Sequence, residues 1–227
     1  MEALKNDSKI HTHYWGTNNS DELLKGTNLF RSPNLPYSYS AMENIADAQH
    51  FKNHFLNFHV KSYEDFQRMI NNSQIEKMGL LQLFKNENDF DKQLIDIAGT
   101  IYNHQLFWDN LSPYCGNCSQ TLQKAIDDSF GSIFELKEQF IITGMNQDCC
   151  GWLWLLKDQK SKLHLITTSQ NRNPLMLGTS VRGTPILAID LWEHAYSNKF
   201  LNNKTGYLKR IWMYINWTEV SNRFKQI

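Results

Sequence analysis

The sequence predicts an α+β protein, with an all-helical N-terminal half and a small antiparallel sheet set among later helices. Two observations carry that reading. Apolar residues recur at helical spacing as far as Asn110, and the same spacing returns from Tyr207 to Phe224. Between them the texture changes, at Trp152-Leu-Trp-Leu-Leu156, to short apolar runs separated by polar turns, the pattern of strands. At 227 residues, 41% of them hydrophobic and 13% aromatic, the chain can bury a real core, which argues against disorder and against a coiled coil.

Residues 1–32 read as a polar arm ending at Ser32-Pro33-Asn34-Leu35-Pro36, where two prolines impose an extended backbone. From Ala41 to about Phe58 the pattern is helical, with Asp47 as a candidate cap. Phe51, Phe55 and Phe58 recur at i, i+4 and i+7, and His54 shares their inward stripe. A second helix is predicted over Tyr63–Asn71, then a polar loop through Asn86–Asp89. A long helix follows from about Phe90 to Asn110, with Leu94, Ile97, Ala98, Ile101, Gln105 and Trp108 on one face and His104 on that same stripe. The loop Ser112–Asn117 ends it, and shorter amphipathic helices are predicted over Gln120–Ser129 and Phe134–Gly144. Trp152–Leu156, a polar turn at Lys157–Ser161 and Leu163–Thr168 form a predicted hairpin, with Pro185–Ile189 as a third strand. Helical segments over Tyr207–Tyr214 and Trp217–Phe224 close the chain, and no internal repeat is visible.

Lys plus Arg and Asp plus Glu both number 23, so there is no global basic field to draw nucleic acid or anionic lipid. The longest apolar stretches fall far short of the roughly 20 residues that span a bilayer, and a soluble chain is expected. The first 31 residues have neither the apolar core of a secretory signal nor the Arg-rich, acid-poor character of a transit peptide. Without an export signal, Asn-x-Ser/Thr triplets such as Asn71-Asn72-Ser73 read as by-products of an Asn-rich composition. Cys115, Cys118, Cys149 and Cys150 are then expected as reduced thiols, a zinc site being the competing reading.

Chemistry concentrates in a few histidines. His54 and His104 stand on apolar helix faces, and Asp190-Leu-Trp-Glu-His194 places a carboxylate and an imidazole one helical turn apart. Three neutral imidazoles and a carboxylate suit a first-row metal of intermediate hardness, iron or manganese above all. A buried histidine is more often a satisfied core residue, and periodicity does not choose three partners among the eight histidines.

Asp190-Leu-Trp-Glu-His-Ala-Tyr196 resembles the D-x-W-E-H-A-Y signature of the iron/manganese superoxide dismutases. Leu35-Pro36-Tyr37 with Ala48-Gln49, Tyr102–Trp108, Ser129–Ser132, Gly151–Trp154, Gly206–Leu208 and Ile215–Trp217 are similar to that family's other motifs in register, so the resemblance runs from about residue 33 to the end. It implies a helical hairpin domain over 33–112 and an α/β domain with a three-stranded antiparallel sheet over 113–227, preceded by the arm 1–32. The implied ligands are His54, His104, Asp190 and His194, around one iron or manganese ion per chain, iron being preferred. Trp108, Trp152 and Trp192 match the family's drying aromatic wall, and Glu193 the residue that reaches across its dimer toward the ligand matching His194.

The resemblance also exposes departures. The family's gateway tyrosine falls on Ser62, with Tyr63 one place late. The glutamine that tunes the family's metal falls on Thr100 in the iron-type position and on Asn171 in the manganese-type position. Tyr63, Thr100 and Asn171 are therefore the candidate replacements near the metal. The cross-dimer histidine and tyrosine fall on Phe58 and Ser197, and a lysine of the anion funnel on Asn57, while Lys204 keeps a charge where the family has arginine. The implied activity is dismutation of superoxide to oxygen and hydrogen peroxide. The competing reading is a dismutase-fold structural subunit of a larger, mitochondrial assembly. A non-standard dimer or such an assembly is the expected partner state, without nucleic acid, and the mitochondrion is the expected compartment, with the cytoplasm as alternative.

Overall fold

The computed structural model describes residues 25, 33–71, 73–148 and 150–226, so the predicted arm, apart from Lys25, and Cys149 lie outside the described residues. Residues 39–45 form turns, and the first helix, α1 (Ala48–His54), starts where the Asp47 carboxylate accepts the His50 N–H at 2.7 Å. The predicted start at Ala41 is thus seven residues early, because the cap rather than the apolar pattern sets the first turn. No break separates the two predicted N-terminal helices. α1 passes through a π-helical turn, Phe55–Val60, into α2 (Lys61–Ile70).

The wider π turn accommodates an extra residue and rotates the helix beyond it. The predicted Phe51–Phe55–Phe58 stripe therefore fails at its last member: Phe58 is 39% exposed, whereas His59 is fully buried. A short helix, α3 (Leu80–Lys85), adds to the predicted elements, and a 3-10 turn over Glu87–Asp89 occupies the predicted loop. α4 (Lys92–Asp109) begins at its Asp91 cap, packs against α2 and buries the whole stretch from Ile101 to Trp108.

α5 (Gln120–Phe130) and α6 (Ile133–Met145) are capped by the hydroxyls of Ser119 and Ser132. Three strands follow, β1 (Gly151–Lys157), β2 (Leu163–Ser169) and β3 (Thr184–Asp190), in the spatial order β2-β1-β3 with both pairings antiparallel. β1 is buried at every position, as its unbroken apolar run requires of a central strand. α6 packs against β1 and β2, and α4 against β3. The register sets Trp152 opposite Asp190, with a bulge between Leu155 and Leu156. α7 (Glu193–Phe200), α8 (Lys204–Ile211) and α9 (Trp217–Gln226) complete the chain.

One buried amide ties the long helix to the sheet. Asn110 donates its side-chain N–H to the Ile186 carbonyl at 3.1 Å and accepts the Ala188 N–H at 2.9 Å, while its own carbonyl accepts from Asn216 at 2.7 Å. Tyr37 donates to the Trp108 carbonyl at 3.0 Å, anchoring the extended Pro segment on the same helix end. These bonds leave no buried polar atom of Asn110 unmet, so the register between α4 and β3 is strongly specified.

Candidate metal centre

His54 comes from the last turn of α1, His104 from the middle of α4, Asp190 from the end of β3 and His194 from the first turn of α7. One potential ligand atom from each lies within 4.8 Å of all the others. Asp190 Oδ2 is central to the set, at 3.1 Å from His54 Nε2, 3.2 Å from His194 Nε2 and 3.7 Å from His104 Nε2. Three of the four residues are buried, and His194 retains 19% side-chain exposure.

His104, Asp190 and the backbone of His194 are held by hydrogen bonds from outside the set. The Thr100 carbonyl lies 2.9 Å from His104 Nδ1, which must donate, leaving Nε2 as the free lone pair. Asp190 Oδ1 accepts the Trp192 N–H at 2.8 Å, which turns Oδ2 toward the imidazoles. His50 Nε2 donates to the His194 carbonyl at 2.7 Å, tying α1 to the first turn of α7. Tyr207 donates to the Asp190 carbonyl at 2.8 Å, fixing the strand end.

Aromatic rings enclose the set one by one. Trp108 lies edge-on to His54 at 4.8 Å, Trp152 edge-on to His104 at 5.0 Å, and Trp192 stacks on His194 at 5.6 Å. Phe58 stacks flat on His194, with ring centroids 3.9 Å apart. Such walls exclude water and lower the local dielectric, strengthening every charge interaction inside.

Electrostatics fit the same chemistry. Burial drives His104 down to about 3 and also lowers His54, so both are neutral imidazoles at pH 7. Burial alone would raise the Asp190 carboxyl, but His194 and His54 beside it outweigh that and hold it well below the usual range. Despite their approach to Asp190 Oδ2, the buried His54 Nε2 and His104 Nε2 have no hydrogen-bond partner among the described residues. Two buried imidazole nitrogens without partners and a carboxylate, converging with His194 within 4.8 Å, fit one metal ion.

The four predicted ligands and the three tryptophans are thus brought together. Glu193 is exposed in the first turn of α7. Thr100 needs a correction as a replacement side chain: its hydroxyl donates one turn back, to the Asp96 carbonyl at 2.9 Å, and it serves the site through its own carbonyl. Tyr63 is buried on the face of α2 that carries Phe66 and Ile70. Asn171 follows β2, and its carbonyl accepts from Asn103 Nδ2 at 3.1 Å, alongside Gly99. Burial pushes the Cys118 thiol up to about 11, which keeps it protonated and a poor ligand at neutral pH.

The sequence pattern does not single out His50, His59 or the stacking role of Phe58. His50 stands one helical turn before His54, a spacing that marks a shared face. His59 shares that face only because of the π turn, which leaves no apolar periodicity to read.

Comparison with known proteins agrees with this geometry. Residues 29–112 match the family description "Iron/manganese superoxide dismutases, alpha-hairpin domain", and residues 118–223 match "Iron/manganese superoxide dismutases, C-terminal domain". The chain is 30% identical over 200 residues to the superoxide dismutase (Mn) of Acinetobacter baylyi, covering 87% of this chain and 88% of that one. Identity is 34% over 210 residues to the protein of the same name from Thermus thermophilus, covering 87% of this chain and 98% of the relative. With that of Buchnera aphidicola it is 33% over 201 residues, covering 86% and 98%.

Proposed function

The chain belongs to the iron/manganese superoxide dismutase family, and from that premise we propose that it converts superoxide to dioxygen and hydrogen peroxide at one metal ion held by His54, His104, Asp190 and His194. The observation that carries the reading is the convergence of those four side chains within 4.8 Å, with Nε2 of His54 and of His104 left without a hydrogen-bond partner among the described residues. A metal held by these residues would supply the one-electron chemistry of the dismutation, with two protons needed to complete hydrogen peroxide.

The protein does the rest. Thr100 and Trp192 hold His104 and Asp190 in the orientation and protonation that leave Nε2 and Oδ2 inward. Three neutral imidazoles and one carboxylate contribute a single negative charge, so a divalent or trivalent ion keeps a net positive charge and attracts a monoanion. Trp108, Trp152 and Trp192 keep bulk water from screening that attraction. The exposed Glu193 and the half-exposed Phe58, beside His194 on the open side of the site, support a second copy of the chain as the partner there. The names of the relatives favour manganese over the iron that the sequence alone prefers.

Elemental analysis of the purified protein, paired with a superoxide-dismutation assay before and after reconstitution with iron and with manganese, tests the proposal. One ion per chain with turnover restored by manganese is the expected result. Stoichiometric metal without turnover, or no metal at all, would turn the reading to a scaffold role in a larger assembly.

A further inference from the structure

A fourth histidine lies against the ligand set and takes no part in it. His59, in the π turn, is fully buried, and neither of its ring nitrogens has a hydrogen-bond partner among the described residues. Its ring stacks on His104 with centroids 6.0 Å apart and meets Phe55 edge-on at 5.6 Å. Trp152, edge-on to the same His104 ring at 5.0 Å, also has its indole N–H buried and unpartnered.

A neutral imidazole carries one donor and one acceptor. Leaving either unmet in a dry interior is destabilising, and leaving both unmet on one side chain doubles that cost. Buried polar atoms without protein partners are the usual hosts of ordered water. The Thr100 hydroxyl is engaged by the Asp96 carbonyl and so is turned away from the centre.

We propose that His59 is a positioning residue of the dismutation site, holding a buried water beside His104 and Trp152 that keeps the His104 ring in place. The inference rests on the proposed metal-dependent function for its purpose, but not for its structural content. The π turn is what makes it possible, since it rotates His59 inward and Phe58 outward onto His194.

Three proteins test this: the wild type, His59→Gln, which keeps a donor and an acceptor, and His59→Leu, which keeps neither. In the metal-free form, wild type and His59→Gln should share a urea midpoint, with His59→Leu below both. A dry histidine predicts the opposite order, with His59→Leu at or above the wild type, and that result overturns the proposal. In the metal-loaded form, the azide dissociation constant should rise about tenfold in His59→Leu at unchanged metal content and return to within about threefold in His59→Gln; a value within twofold of wild type in His59→Leu also overturns it. A crystal structure should show a water within about 2.7–3.2 Å of His59 Nδ1 or Nε2. If the wild type binds no metal, the metal-dependent function fails, while the metal-free order and the crystal structure still decide the role of His59.

Discussion

The carbonyl of Thr100 lies 2.9 Å from Nδ1 of His104, one helical turn further on. A carbonyl only accepts, so the contact selects the imidazole tautomer whose Nε2 lone pair points at Asp190 and the two other histidines. Asp190 is treated in the same way by the Trp192 N–H, which occupies Oδ1 at 2.8 Å. Both orienting groups are backbone, supplied by the helix and by the strand-to-helix turn, so they are independent of side-chain identity. That is why the centre is intact here although several neighbouring side chains depart from the family's pattern.

Asp190→Asn puts the ligand set itself to the test. The carboxylate is the only negative charge in the set and is fully buried. The amide removes that charge and can present an N–H where a metal needs a lone pair. Metal affinity should fall by more than about 100-fold, beyond the range typical of groups that only orient a ligand, and dismutation should vanish with it. Elemental analysis after dialysis checks this; retained stoichiometric metal would remove Asp190 from the ligand set.

The metal-free protein should be acid-labile well above the usual carboxylate range. Burial lowers His54, His59 and His104, the last to about 3, against about 6.5 in an unfolded chain. Between those values the unfolded chain binds protons that the folded chain refuses. Stability is therefore complete above about pH 6.5 and declines as pH falls toward 3, by about 1.4 kcal/mol per pH unit for His104, with His54 and His59 adding to the loss. The depressed Asp190 carboxyl acts in the same direction only below about pH 4. Urea midpoints of metal-free protein should drop between pH 7 and 5, and a flat profile would contradict the buried, neutral histidines.

How far the sequence reveals this centre depends on the element. The continuous apolar run of β1 announces a central strand, and the 3.6-residue spacing puts His54 and His104 on buried faces, where both stand. The π turn is invisible because a single inserted residue leaves Phe51 and Phe55 in phase and shifts only the positions beyond them, so the pattern places Phe58 inside and passes over His59. His50 is equally illegible: its partner is a carbonyl 144 residues away, and no local pattern encodes such a contact. Thr100 is legible as a position near the metal but for its side chain, whereas the helix turns that hydroxyl to Asp96.

Gly99→Ala should destabilise the fold although alanine is the better helix former by about 1 kcal/mol. A Cβ at position 99 would lie 2.3 Å from the Asn171 carbonyl oxygen and 2.9 Å from the Met176 side-chain terminus. The methionine can move, but the backbone carbonyl is also held by Asn103 at 3.1 Å. Overpacking of about 1–3 kcal/mol outweighs the helix gain, for a net loss of about 1 kcal/mol and a fall in thermal midpoint of about 2–4 °C. A raised midpoint would show that the turn after β2 yields freely.

Asn171→Gln tests whether the shorter amide at position 171 limits turnover. The Asn171 backbone is fixed against α4 by Asn103 and by its close approach to Gly99, so the reach of the side chain cannot be recovered by shifting the chain. One added methylene extends the amide toward the site that the family fills with glutamine. A hydrogen bond regained next to a charged centre is worth about 1.5–3 kcal/mol, of which about 1.4 kcal/mol suffices for a tenfold gain in rate. Turnover should rise about tenfold at unchanged metal content, measured by steady-state dismutation together with elemental analysis. A fall in turnover would mean that this chain has adapted its centre to the shorter amide.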